Sequence, residues 1–183
     1  MNLLISPGRV NLKVNEENIK LFAQTFTTVF YIGTNVLVNI GALLSVVFAG
    51  ILLGIINSNK YGKGNQTTSC NNYKYCVRLR NCAIIILVLS LLFIISSPLL
   101  DLLSNVLSKN VALIVNIIFN FIIIVPMLGA SGVAIASLIE IGNDSNSNSQ
   151  MKATQALGYL MSIFGIIIAF MKNIMTYYKI LFE

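Results

Sequence analysis

The sequence predicts an all-α protein: a multi-pass transmembrane helical bundle with four spans, preceded by an amphipathic N-terminal helix. Of its 183 residues, 56% are hydrophobic and only 10% are charged, whereas soluble domains carry about 25% charged residues. The apolar residues also fall in blocks of about 20 or more, the length that crosses a hydrocarbon core of ~30 Å. A soluble protein with such blocks would need several helices buried on every side, and this chain is too short for that.

Residues 1–31 are predicted to form an arm followed by the amphipathic helix. Residues 1–15 are expected to be extended, because Pro7-Gly8 is a turn signal. Asn15 is a suitable helix N-cap, and two acidic residues follow it near the positive end of the helix dipole. Apolar side chains then recur at helical spacing, which predicts a helix that lies in the interface or packs on a partner: Ile19, Phe22, Phe26 and Val29.

The first span is predicted at residues 32–56. Two stripes of small residues, spaced by four, would let another helix approach closely: Gly41, Ser45 and Ala49, and Gly50 and Gly54. Intramembrane amides also occur in pairs four residues apart, here and in the third apolar block, and these should face protein or water: Asn35 and Asn39, and Asn116 and Asn120.

Residues 57–80 are predicted to form the main polar loop. Cys70 and Cys76 could form a disulfide if this loop faces an oxidising space, and unpaired thiols are the alternative. Asn65-Gln66-Thr67 matches the glycosylation sequon, which matters only where the loop is lumenal.

The second span is predicted at residues 81–100, and residues 101–110 are expected to form a short amphipathic link. The third apolar block, residues 111–141, would be about 46 Å long as a straight helix, which exceeds the apolar core. It must therefore tilt, kink or break, and Pro126, Gly129 and Gly132 mark the expected position. If the block breaks, it could be re-entrant, which would leave three spans.

The fourth span is predicted at residues 153–171, followed by a short interfacial tail at 172–183. It carries another stripe of small residues: Gly158, Ser162, Gly165 and Ala169. Four spans place both ends of the chain on the same side of the membrane. Basic residues are equally numerous on the two predicted sides, so the positive-inside rule assigns no orientation.

Composition excludes several classes of function. The chain has no histidine, the commonest general base and metal ligand. Its six acidic residues form no spaced pair inside an apolar block, and three cysteines are too few for a closed zinc site. We therefore predict no enzyme activity, no cofactor and no metal. The net charge of +6 comes from basic residues at the edges of apolar blocks, where lipid headgroups lie, so nucleic acid is not a predicted partner.

These features favour a non-catalytic structural subunit that anchors or cements a larger assembly. Its partners would be the bilayer and other protein subunits, which would dock on residues 1–31 and 57–80. The abundance of Ile, Asn and Lys is typical of an AT-rich genome, which favours the internal membrane of a large DNA virus, with a minor capsid role, or an organellar membrane complex. The alternative is a small oligomeric channel or transporter that uses the Asn pairs and the break at residues 126–132.

Overall fold

The structure is a computed structural model that describes residues 7–61, 68–144 and 149–182, with side chains for residues 18–61, 68–100, 102–103, 106–108, 110–143 and 151–174. It contains α1 (Pro7–Ile56), β1 (Lys60–Tyr61), β2 (Thr68–Ser69), a 3₁₀ turn (Cys70–Asn72), α2 (Lys74–Val106), α3 (Lys109–Asp144) and α4 (Ser149–Phe182). The prediction of an all-α fold with four spans is confirmed. Four helices are long and apolar enough to cross a membrane: Asn18–Ile56, Lys74–Leu100, Asn110–Asn143 and Met151–Ile174.

The chain divides into two compact units, Met1–Val36 and Leu37–Glu183. In the first unit, the described residues belong to the N-terminal part of α1. The second unit contains the rest of α1, the β-hairpin and the other three helices.

Helix α1 begins at Pro7, so residues 7–15 are helical rather than extended. Proline is well tolerated in the first turn of a helix, because the amide it lacks has no partner there and its φ angle is already helical. The turn signal Pro7-Gly8 therefore marks the start of the helix. The predicted arm and first span belong to one continuous helix, and residues 1–6 lie outside the described residues.

Helix α2 begins at Lys74, so the polar connection is shorter than the predicted loop of residues 57–80. Four side chains at helical spacing explain this early start, because they are buried along one face: Cys76, Leu79, Ala83 and Ile86. Lys74 and Arg78 are exposed and belong to the same helical turns. The polar composition of residues 74–80 thus reflects the outer face of a helix.

The later helices are also longer than predicted. The expected link at residues 101–110 is mostly helical, since only Leu107 and Ser108 separate α2 from α3. Helix α3 runs through Pro126 without interruption, and neighbouring groups in a membrane bundle commonly compensate for the amide that a proline lacks. Helix α4 continues to Phe182, so most of the predicted interfacial tail is helical.

Within the second unit, the core is concentrated at the end that carries the hairpin. It is formed by the last turns of α1, the first half of α2, the second half of α3 and the start of α4. Its largest fully buried side chains include Tyr61, Leu52, Ile56, Leu79 and Leu138.

The outer faces of the second unit carry large apolar side chains. Ile84 and Ile95 on α2, Ile118 on α3 and Ile163 on α4 are between 46 and 60% exposed. Such faces are suited to contact with lipid chains, and they support an integral membrane protein.

Candidate functional site

The most elaborate polar structure lies at the hairpin end, in residues 57–61 and 68–80, which we call the cap. Strands β1 and β2 are antiparallel, with Lys60 opposite Ser69 and Tyr61 opposite Thr68. A two-stranded ribbon this short has little stability alone. The contacts that hold it to the helices therefore determine its structure.

Tyr61 is the central side chain of the cap. It is fully buried, and its phenol oxygen donates a hydrogen bond to the carbonyl of Ile56, at 2.7 Å. Its ring stacks on that of Tyr73, with centroids 5.6 Å apart, and Tyr75 meets Tyr73 edge to face at the same separation. The aromatic cluster thus joins the hairpin to the end of α1 and the start of α2.

A buried hydrogen bond joins the cap to α4. The side-chain amide of Asn59 donates to the hydroxyl oxygen of Thr154, at 2.6 Å, and both residues are at least 95% buried. The two residues are 95 positions apart in the chain. Their pairing fixes the end of the hairpin against the second turn of α4.

A disulfide joins Cys70 and Cys76, the pairing that the sequence left open. It connects the 3₁₀ turn to the first turn of α2, across a Cα–Cα distance of 5.2 Å. Beside it, Arg80 Nη1 donates to Asn71 Oδ1, at 2.6 Å. The covalent bond and this hydrogen bond both restrain the segment that leads from β2 into α2.

The environment of Tyr61 predicts a pH-dependent stability. Burial raises the pKa of Tyr61 to about 12, although hydrogen bonds with Asn59 and Thr154 partly oppose the shift. In the unfolded chain this phenol ionises near pH 10. The contribution of the neutral, buried Tyr61 phenol to the free energy of unfolding is therefore complete below about pH 10 and is lost as the pH rises towards 12.

Thermal unfolding of wild type and Tyr61→Phe in the same detergent tests this expectation. The variant should be less stable at pH 8 by about 1 kcal/mol, because it lacks the bond to Ile56. The difference should shrink as the pH rises from 10 towards 12, since only the wild type loses the neutral phenol. The two proteins differ only at residue 61, so two curves of stability against pH that stay parallel would contradict the assignment.

The predicted small-residue stripes lie in two different environments. Gly41, Ser45 and Ala49 are buried, and so are the four residues of the α4 stripe, Gly158, Ser162, Gly165 and Ala169. A Cβ added at Gly158 would lie 2.7 Å from Leu138, and one at Gly165 would lie 2.5 Å from the Ser131 hydroxyl. By contrast, Gly50 and Gly54 are exposed, and an added Cβ would meet nothing within 4 Å.

Helix α1 packs on α4 through the first of these stripes. A Cβ at Gly41 would lie 3.4 Å from Ile168, and the ring of Phe48 stacks on that of Phe164 with centroids 5.7 Å apart. The two stripes of α1 therefore differ in role, since only one of them packs against another helix in the described structure.

The four intramembrane asparagines predicted from the sequence are all half-buried or buried. Asn120 is buried, and its amide donates to Asn116 Oδ1, at 2.7 Å. Asn35 and Asn39 are half-buried. The amides of the α3 pair thus bond to each other within one helix. Pro126, Gly129 and Gly132 are exposed, and α3 is continuous through them. The channel hypothesis relied on a broken helix at residues 126–132, and the structure has none there.

Sequence reasoning did not single out the residues that build the cap core. Asn59, Tyr61 and Tyr73 were treated only as parts of the polar loop, and Thr154 only as part of the fourth span. The fully buried hydroxyls of Ser45, Ser90 and Ser131 were also not recognised as a group, and within the described residues they have no hydrogen-bond partner. Their spacing carries no local signal, because helix packing alone determines their burial.

No group of three or more His, Cys, Asp or Glu side chains that could hold a metal occurs among the described residues. No protein-family model, no curated protein and no solved structure matches the chain. The function is therefore inferred from the residues themselves.

Proposed function

We propose that this protein is a non-catalytic structural subunit of a membrane assembly, and that its cap is a rigid attachment surface for other subunits. The observation that carries the proposal is the fixed position of the cap on the helices. Tyr61 and Asn59 join it to α1, α2 and α4, and the disulfide restrains its path into α2. An attachment point must resist displacement relative to the span, and these contacts supply that resistance.

The exposed chemistry of the cap favours a partner with acidic groups. Lys60, Lys74 and Arg78 are exposed around it, together with the polar side chains of Asn71 and Asn72. The three cations would be attracted to carboxylates on a neighbouring subunit, and the fixed backbone would set the register of that contact.

The composition supports two settings for this assembly. The abundance of Ile, Asn and Lys, which is typical of an AT-rich genome, fits the internal membrane of a large DNA virus. There the protein would be a minor capsid component that connects membrane and shell. It fits equally an organellar membrane, where the protein would be a subunit of a larger complex. The N-terminal segment at residues 1–31 would be a second docking surface in either setting.

Extraction from the native membrane in a mild detergent, followed by a native mass measurement, tests the proposal. We expect a defined hetero-complex. A variant with Lys60→Glu and Lys74→Glu should remain in the membrane. The amount of co-migrating subunits should fall about tenfold, because the cap of the variant would repel the acidic partner. A matched control with Lys172→Glu changes a cation outside the cap and should keep them.

A homo-oligomer without other subunits would contradict the proposal. It would favour the channel alternative, which flux measurements in liposomes would then examine directly. Equal loss of partners in the cap variant and the Lys172→Glu control would show that attachment does not depend on the cap.

A further inference from the structure

The first unit exposes a regular row of large apolar side chains along α1. Ile19, Phe22, Phe26 and Val29 are 62, 73, 65 and 64% exposed. Their spacing of three, four and three residues corresponds to the a and d positions of a heptad repeat. Gly33 and Val36, both exposed, continue the same repeat. We call these six residues the seam.

The remaining faces of this segment are mostly polar and need no partner. Lys20, Gln24, Thr27 and Thr28 occupy positions away from the seam. The Thr28 hydroxyl donates to the carbonyl of Gln24, at 2.9 Å, and the Thr27 hydroxyl donates to that of Ala23. Leu21 is the exception, since it is 64% exposed and lies away from the seam. Residues 18–36 therefore form an amphipathic helix whose main exposed apolar face is the seam.

Aromatic side chains give this face a preformed surface. The rings of Phe22, Phe26 and Phe30 stack in succession, with centroids 6.4 Å apart at each step. Phe30 is 47% exposed and lies beside the seam. Because these rings already contact one another, a partner would meet an ordered surface.

The apolar stretch that contains the seam is longer than a membrane span requires. The apolar stretch Asn18–Ile56 has 39 residues, or about 58 Å as a helix, whereas a span needs about 20 residues. Residues 37–56 supply that length without the seam. The periodic apolar face of residues 18–36 thus has no explanation in the span alone.

We propose that residues 18–36 pair with the same segment of a second copy, as a parallel two-stranded coiled coil with the seam at its centre. Copies inserted in the same orientation present this segment in parallel and in register. The flanking e and g positions would carry Asn18, Ala23, Thr25, Phe30 and Ile32. None is charged, so self-pairing meets no repulsion, and no charge pattern selects a different helix.

The exposed area agrees with this occupant. Together with Phe30 and Ile32, the large side chains of the seam are 47–73% exposed. At roughly 150–250 Å² for each aromatic side chain, they can supply much of the ~800 Å² that one partner buries in a stable interface. Gly33, where an added Cβ would meet nothing within 4 Å, would allow the two helices to approach closely. This pairing goes beyond the proposed function, since it requires only the chain itself.

Cysteine cross-linking of the full chain in liposomes tests the pairing. Phe22→Cys and Val29→Cys place a thiol on the seam, and Gln24→Cys and Thr28→Cys place one on the polar face. Cys82 is buried and Cys70 is bonded to Cys76, so the new thiol is the accessible one. After mild oxidation, the seam variants should form at least about tenfold more covalent dimer than the polar-face variants, and tenfold dilution with lipid should not remove this difference.

Equal yields from the two faces would overturn the proposal, because they would indicate random collision or coverage of the seam by lipid. In native membranes, a seam cross-link only to a protein of different mass would also overturn it. Adding Phe26→Glu to Val29→Cys should abolish the dimer, while circular dichroism and the Cys70–Cys76 bond report that the chain remains folded. Persistence of the dimer in that variant would equally reject the seam. The purified chain alone is used, so a missing hetero-complex would affect only the proposed function.

Discussion

Replacing Gly165 by leucine is expected to disrupt the contact between α3 and α4, whereas the same substitution at Gly132 should leave the fold intact. A Cβ at Gly165 would lie 2.5 Å from the Ser131 hydroxyl and 3.7 Å from Met127. Leucine adds three further carbons in that direction. Overpacking of this kind typically costs about 1–3 kcal/mol, and we expect the upper part of that range because the neighbouring atoms belong to a helix that cannot move alone.

Gly132, on α3, is the matched control because it lies outside the contact. It is exposed, and an added Cβ would meet nothing within 4 Å. Leucine also has a better helix propensity than glycine, by roughly 0.8 kcal/mol. Unfolding in mixed detergent should therefore show Gly132→Leu at or above wild-type stability and Gly165→Leu well below it.

Alanine substitutions refine the same prediction. The atom nearest to a Cβ at Gly165 is the end of the Ser131 side chain, so Gly165→Ala should require only a rotation of that hydroxyl. Combining Gly165→Ala with Ser131→Ala should recover any lost stability, because it removes the hydroxyl that would collide. Ser131→Ala also removes a buried hydroxyl that has no hydrogen-bond partner among the described residues, so its effect is measured in both backgrounds. If Ser131→Ala raises the stability of Gly165→Ala no more than it raises that of the wild type, the close approach at this point is incorrect.

The number and positions of the spans could be predicted from sequence, because apolar blocks of sufficient length have few alternatives in a membrane. Local signals were less reliable at Pro7 and Pro126. Each residue marks a turn or break in isolation, yet a first turn tolerates the former and a membrane helix accommodates the latter. The helices therefore begin and end at other residues than predicted, while the predicted all-α class is confirmed.

The direction of each stripe could not be predicted. Ala49 and Gly50 are adjacent in sequence but about 100° apart around the helix, and only the positions of the neighbouring helices determine which stripe is buried. The cap core depends on the same kind of information. Asn59 and Thr154 are joined by a hydrogen bond although 95 residues separate them, so no local pattern of the sequence identifies the pair.

The disulfide leads to the second large expected effect. Replacing both Cys70 and Cys76 by serine should reduce the stability of the cap by about 2 kcal/mol, the entropic contribution of closing so short a loop. Protease accessibility of residues 57–80 should increase, while the four spans stay inserted. Replacement of Cys82, which is buried and free, is the control and should leave the protease pattern unchanged.

The disulfide between Cys70 and Cys76 also indicates which side of the membrane the cap faces, a question that the distribution of basic residues does not decide. Disulfides persist on the oxidising side of a membrane and are reduced on the cytosolic side, so we expect the cap to lie on the oxidising side. Cys70 and Cys76 are themselves buried, so the probe is a cysteine introduced at the exposed position Lys60. In sealed vesicles with the oxidising side outward, an impermeant maleimide should label Lys60→Cys; in inverted vesicles it should not. A second readout comes from the sequon at Asn65: in a glycosylating membrane, a mass shift that Asn65→Gln removes would agree. Labelling only in the inverted vesicles would place the cap in the cytosol, where the exposed cations Lys60, Lys74 and Arg78 would instead face anionic lipid headgroups.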